Sequence, residues 1–232
     1  MSDQPRFERT AERYAREAQA RDWSGVIELC LPAAGDAALD VAAGPGMLSA
    51  ALLGRVDRAV AFDASPALLA HAPAGVEAIE GDASAMPFAD RSFDIVTCVN
   101  GLHHLDDPAA GLAEMARVLA PGGRLVLQDY IADPDPERAR RWDEIERLRA
   151  EDHRRLLAEG EAGTELARRG LAVDEEREWP STWDVDAWTE LAGCDAGTAA
   201  RVRELIGAPT FTVRAWRARY VRPSNGAEDS AA

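Results

Sequence analysis

The stretch Ala38-Leu-Asp-Val-Ala-Ala-Gly-Pro-Gly46 decides how the chain is read. Its apolar start suits a buried strand leading into Asp40, and Ala42, Gly44 and Gly46 then call for a tight turn. Met47, Leu48, Ala51 and Leu52 come next at the spacing of an inward helix face. Small residues at such a turn let main chain approach a ligand where a larger side chain would obstruct it. Two glycines after a strand also occur in ordinary tight connections, so the turn needs support from elsewhere in the chain.

That support comes in order. Arg58-Ala-Val-Ala-Phe62 reads as the next strand and ends on Asp63. An acidic residue roughly twenty positions past the turn can accept from both hydroxyls of a ribose. A short strand around residues 76–79 leads to Gly81-Asp-Ala-Ser-Ala-Met-Pro-Phe88. Ser92-Phe-Asp-Ile-Val-Thr-Cys-Val-Asn100 reads as a buried strand, followed by Gly101-Leu-His-His-Leu-Asp-Asp-Pro108. Asp107 suits a helix cap and Pro108 a first helical position. Leu112, Met115, Ala116 and Leu119 keep the helical period, and Pro121-Gly-Gly123 stops it ahead of a fifth strand ending near Asp129. Strands alternating with helices give a doubly wound α/β sheet.

The series resembles the class I S-adenosylmethionine-dependent methyltransferases, within them the small-molecule branch that includes the ubiquinone and menaquinone C-methyltransferases. The likeness runs motif by motif over residues 7–130 and thins beyond. Ala42 departs from the glycine usual in the broad family, a change the quinone-methylating branch tolerates. The resemblance implies a Rossmann-like doubly wound sheet, mostly parallel with one antiparallel strand, under a helical lid. It implies one methyltransferase domain over residues 1–222: a lid at 1–33, a cofactor core at 34–132, a substrate or lid insertion at 133–210 and a last strand at 210–220. Residues 223–232 are small and polar, as a frayed tail would be.

The resemblance also assigns roles toward S-adenosylmethionine. Gly44 and Gly46, with Ala42, let backbone pass its methionine end, and Asp40 orders the loop or reaches the ammonium through water. Asp63, with Ala64 beside it, holds the ribose. Asp82 accepts from the adenine amino group and the Ala83 amide meets a ring nitrogen. Asn100 contacts the amino-acid moiety through main chain, and Tyr14 of the lid reaches its carboxylate. Asp40 and Asp82 also have a plainer reading, as residues that fix turns through their own backbone bonds.

His103 and His104 titrate near neutrality and fall at the carboxyl edge of the sheet, where ligands bind in such folds. One of them, His104 by preference, can serve as general base toward an acceptor too weak a nucleophile when neutral. The pair can equally shape the pocket floor without moving a proton. Asp129 and Tyr130 read as pocket-lining; His71 and His153 read as surface residues.

Composition narrows the field. The net charge of −15 argues against nucleic acid as partner. No apolar stretch reaches membrane-spanning length, and charges at Asp3, Arg6, Glu8 and Arg9 replace the apolar run of a secretory signal. Cys30, Cys98 and Cys194 are scattered, giving no zinc or disulfide pattern and fitting a reducing, cytoplasmic setting. All 26 basic residues are arginine. Without lysine there is no Schiff base and no Tyr/Lys hydride-transfer site, and Ser49 stands where a dinucleotide loop would want a third glycine. A small-molecule acceptor methylated on O, C or N, by a monomer or homodimer with no metal, is the expected function. The alternative is a cofactor-binding protein of the same fold that catalyses another reaction, such as a cyclisation, or serves as a ligand-binding module.

Beyond residue 134 the expectations are a helix over 136–159, a helix over 164–169, a strand over 171–178 and a helix over 196–206. Trp179, Trp183 and Trp188 fall in a connection, where they can roof a pocket or plug the lid onto the sheet. Arg138, Arg140, Arg141, Arg147 and Arg149 read as a solvated helix face. Residues 210–220 alternate as a half-buried strand.

Overall fold

A computed structural model describes residues 6–223, with side chains from Thr10 onward; residues 1–5 and nearly all of the expected tail lie outside the described residues. In chain order come α1 (Arg6–Ala20), α2 (Ser24–Cys30), β1 (Ala37–Val41), α3 (Met47–Leu52), β2 (Arg58–Asp63), α4 (Pro66–Leu69), β3 (Glu77–Glu80) and β4 (Phe93–Val99). After these lie α5 (Pro108–Val118), β5 (Leu119–Ile131), α6 (Pro136–Arg149), α7 (Glu161–Ala167), β6 (Ala172–Asp184), α8 (Val185–Leu191), α9 (Ala196–Ile206) and β7 (Thr210–Val221).

The seven strands line up as β3-β2-β1-β4-β5-β7-β6. The first five are parallel, and β7 runs antiparallel to both β5 and β6. Chain order reverses beside β1, so the loops after β1 and β4 diverge there and leave the crevice where ligands sit in open sheets. Period-two alternation sends the strand residues to opposite faces. Leu39, Val41, Val60, Phe62, Val96 and Leu125 pack toward α5 and α7. Ala38, Ala59, Ile95 and Val126 pack toward α2 and α3. At one margin β6 carries Asp174, Glu175, Glu176, Arg177 and Glu178 in a row, then Pro180, whose missing N–H is tolerated on an edge. The other margin is the four-residue β3.

Several boundaries differ from the sequence expectation. Within the helical lid expected over 1–33 the helix breaks at residues 21–23, where Asp22 accepts from the Ser24 amide and α2 starts anew. On α3 the buried face is Leu48, Ser49 and Leu52, with Met47 turned to a cavity instead. Helix α6 ends at Arg149, ten residues early, because the next segment is held on the loop after β4. The strand β6 runs on to Asp184 since β7 pairs with it as far as Thr210. Trp179 and Trp183 therefore lie on β6 and Trp188 on α8, a helix capped by Asp184 that the sequence reading missed. Trp188 stacks on Trp142 and meets Phe211 edge-on, forming a separate core with Val185 and Val202. These tryptophans do not roof the cavity.

Candidate functional site

A cavity of about 660 Å³ opens at the carboxyl ends of β1, β2 and β4. Its floor begins with the turn after β1, where Ala42, Gly44 and Gly46 have φ of 53°, 55° and 69°. Three left-handed residues at alternate positions coil the chain before α3. The Gly44 amide donates to Asp63 at 2.7 Å, and the Ser65 amide donates to the other carboxylate oxygen at 2.8 Å. Asp63 thus closes β2 and braces the first loop together. Burial pushes its carboxyl up, against the pull of those backbone donors. A Cβ on Gly101 would come within 2.6 Å of the Ala42 Cβ, so the loop after β4 can approach only as glycine.

Tyr14, Ala42, Gly44, Asp63, Ala64, Asp82, Ala83, Asn100 and His104 all line this cavity. Asp40 and Gly46 stand behind it. Asp40 is 4% exposed, accepts from Thr97 at 2.6 Å and Ser49 at 3.4 Å, and burial pushes its carboxyl up to about 7. Its observed contacts make it a brace between β1, β4 and α3. Asp82 is exposed, and the Ser84 amide holds its carboxyl below the usual range.

The histidines separate. His103 is buried, off the cavity wall, with Nδ1 against Asp129 at 2.6 Å. Burial would keep that imidazole neutral, but the Asp129 carboxylate outweighs it and raises its pKa. Burial likewise pushes Asp129 up, and His103 overrides it to a lowered value. Asp129 and Tyr130, expected on the wall, are not among its lining residues, and Asp129 is spent on His103 and on the Tyr130 amide. His104 reaches the cavity with Nδ1 at 2.8 Å from Asp152. His153, expected at the surface, is 1% exposed; its Nε2 lies 2.9 Å from Asp143 and its ring packs 5.6 Å from His103.

Arg21, Trp23, Met47, Asp152 and Arg154 also line the cavity, and sequence reading had not placed them there. Of the arginines on α6, Arg149 is half-buried on Glu146 and over the Trp188 ring, while Arg138, Arg140, Arg141 and Arg147 stay exposed. Burial pushes the Cys30 thiol up to about 12 and Cys98 also upward, so neither is a nucleophile. Among the described residues no group of three or more His, Cys, Asp or Glu could hold a metal ion, and no helix is long and apolar enough to cross a membrane.

Comparison with known proteins agrees with the fold. The methyltransferase domain family matches residues 39–127. The methyltransferase YcgJ of Bacillus subtilis, itself uncharacterised, is 30% identical over 207 residues, covering 84% of this chain and 82% of its own. The demethylmenaquinone methyltransferase of Clavibacter sepedonicus is 34% identical over 168 residues, covering 70% and 66%. The crystal structure of the Bacillus subtilis YcgJ protein superposes with a TM-score of 0.81 at 24% identity, covering 90% of this chain and 99% of that one, a likeness of fold. The chain belongs to the class I S-adenosylmethionine-dependent methyltransferases. It is an enzyme of methyl transfer, with S-adenosylmethionine as cofactor.

Proposed function

We propose that the cavity binds the cofactor through Asp63, Asp82 and the small-residue loop, and that His104 takes a proton from a small-molecule acceptor. The observation that carries the binding half is the joint closure of the loop by Gly44 and Asp63, beside a floor open to main chain. The cofactor, when bound, supplies a methyl group already activated on a positively charged sulfur. The residues then have three tasks. Asp63 accepts from the ribose hydroxyls, its oxygens retaining acceptor capacity beside their backbone donors. Asp82 and the Ala83 amide take the adenine edge, with Ala64 against the ribose. Ala42, Gly44 and Gly46 shape the passage for the methionine end, Asp40 fixes it from behind, and Asn100 and Tyr14 address the amino-acid group. Holding donor and acceptor in line supplies several kcal/mol of barrier lowering.

His104 is the base in this reading because it alone of the histidine pair lines the cavity. His103 serves behind it. Residues 1–33 act as lid, 34–132 as cofactor core and 133–210 as acceptor-binding insertion. The relative named for demethylmenaquinone supports a small-molecule acceptor with an apolar body. A monomer or homodimer working in the cytoplasm completes the proposal.

Calorimetry with S-adenosylhomocysteine tests the binding half: a stoichiometric heat is expected, and none at all would overturn it. Radiolabelled cofactor incubated with a metabolite extract tests the chemical half. His104→Gln is expected to retain the binding heat and lose label transfer. Label transfer that His104→Gln leaves unchanged would overturn the base reading of His104.

A further inference from the structure

The segment just past α6 is a strap across the histidine loop. The Arg154 amide donates to the His103 carbonyl at 2.9 Å, and the Arg154 guanidinium pairs with Asp106. The Ala132 amide donates to the Leu157 carbonyl at 2.9 Å, which ties the strap's far end to β5. Asp143 on α6 takes the Leu156 amide at 3.3 Å and His153 Nε2 at 2.9 Å. The strap is thus braced at both ends and through its middle.

It carries Asp152 onto His104. The Asp152 carboxylate stands 2.8 Å from His104 Nδ1, and its carbonyl oxygen stands 3.3 Å from the same nitrogen. Two oxygen acceptors at one ring nitrogen require that nitrogen to carry the proton. His103, whose ring centroid is 4.1 Å away, has its own carboxylate in Asp129, so the two imidazoles do not share one.

We propose that Asp152 is the positioning residue of His104: it fixes the ring as the Nδ1–H tautomer and leaves Nε2 as the nitrogen that can receive a proton. A carboxylate on one imidazole nitrogen sets both orientation and tautomer, and so the basicity offered by the other. The inference deepens the base reading of His104 and rests on it. Bracing of the loop is already supplied by Arg154 and the backbone bonds. The carboxylate at Nδ1 is the added element.

The test uses the full chain with ¹⁵N-labelled histidine, bound to S-adenosylhomocysteine. The sequence holds four histidines, so His→Gln variants assign every signal. In its neutral form, His104 is expected with a protonated Nδ1 and an imine-type Nε2. Asp152→Ala shifts it toward the Nε2–H tautomer common in water. Asp152→Asn restores the Nδ1–H form, because its amide oxygen still accepts. A purely structural strap would leave the tautomer alike in all three proteins. A wild-type His104 found mainly as Nε2–H overturns the proposal even if the alanine variant fails to fold; so does an alanine variant with unchanged tautomer. If the tautomers behave as stated while His104→Gln still transfers label, the positioning stands and the base reading fails.

Discussion

The Gly44 amide donates to the Asp63 carboxylate at 2.7 Å, so the turn after the first strand is held by the last residue of the second. A ligand that engages Asp63 therefore meets a loop already set. Asp63→Ala removes the acceptor of two amides as well as the proposed ribose contacts. Affinity for S-adenosylhomocysteine in calorimetry should fall about 10- to 100-fold, matching about 1.5–3 kcal/mol for hydrogen bonds to a charged group. Unchanged affinity would remove Asp63 from the site.

Ala42 and Gly101 form a second testable pair. Gly101→Ala would put its Cβ 2.6 Å from the Ala42 Cβ and 3.0 Å from Cys98 Sγ. Overpacking of this kind should cost about 1–3 kcal/mol. Ala42→Gly relieves a left-handed alanine and, set against the added freedom of the unfolded chain, should stabilise by at most about 1 kcal/mol. Combined, the two changes should couple favourably by at least about 0.5 kcal/mol in urea unfolding. Strict additivity would mean that the two loops do not meet this way.

Asp40 sets a pH dependence. Its folded carboxyl sits at about 7, above the usual range, so the native state keeps a proton that the unfolded state releases. That contribution is complete below about pH 4 and is lost as pH rises through 7. Asp40→Asn retains an acceptor for Thr97 and removes the titration. Between pH 4.5 and 8 the wild-type protein should lose stability relative to the variant, on the order of 4 kcal/mol at most. Parallel pH curves would show that the group ionises freely.

The His103–Asp129 pair runs differently. His103 is raised, so its contribution is fully present below the ordinary histidine range and fades as pH climbs through the raised value. Asp129 is lowered, so its share is lost only in acid. Asp129→Asn should cost about 3–5 kcal/mol near pH 6, the usual result of orphaning one partner of a buried pair. The loss should shrink as pH rises through the raised His103 value, above which that ring is neutral in both proteins. A cost independent of pH would mean that the pair is not ionised.

Much of the parallel core was legible because local and global signals coincide there. The runs ending in Asp40 and Asp63 are apolar enough to be buried on both faces, and the Asp107-Pro108 helix start carries its own chemistry. The chain beyond residue 134 was harder to read. Helix α8 has seven residues and no long apolar period, so its one clear mark was the cap at Asp184. The early end of α6 is a tertiary effect, since residues 151–154 gain more on the histidine loop than in a further turn. For the same reason Asp152 and buried His153 left no trace: each meets its histidine partner about fifty positions away in sequence. The separation of His103 from His104 was likewise invisible, because adjacent residues in a 3₁₀ turn point to different surroundings.

The margins of the sheet bear on self-association. One outer strand presents a picket of mostly negative side chains and a proline, while the opposite one is too short to template a neighbour. Strand-by-strand extension from one molecule into the next is thereby disfavoured at either end. A homodimer of this enzyme would have to form through helical surfaces, with each copy keeping its own seven strands.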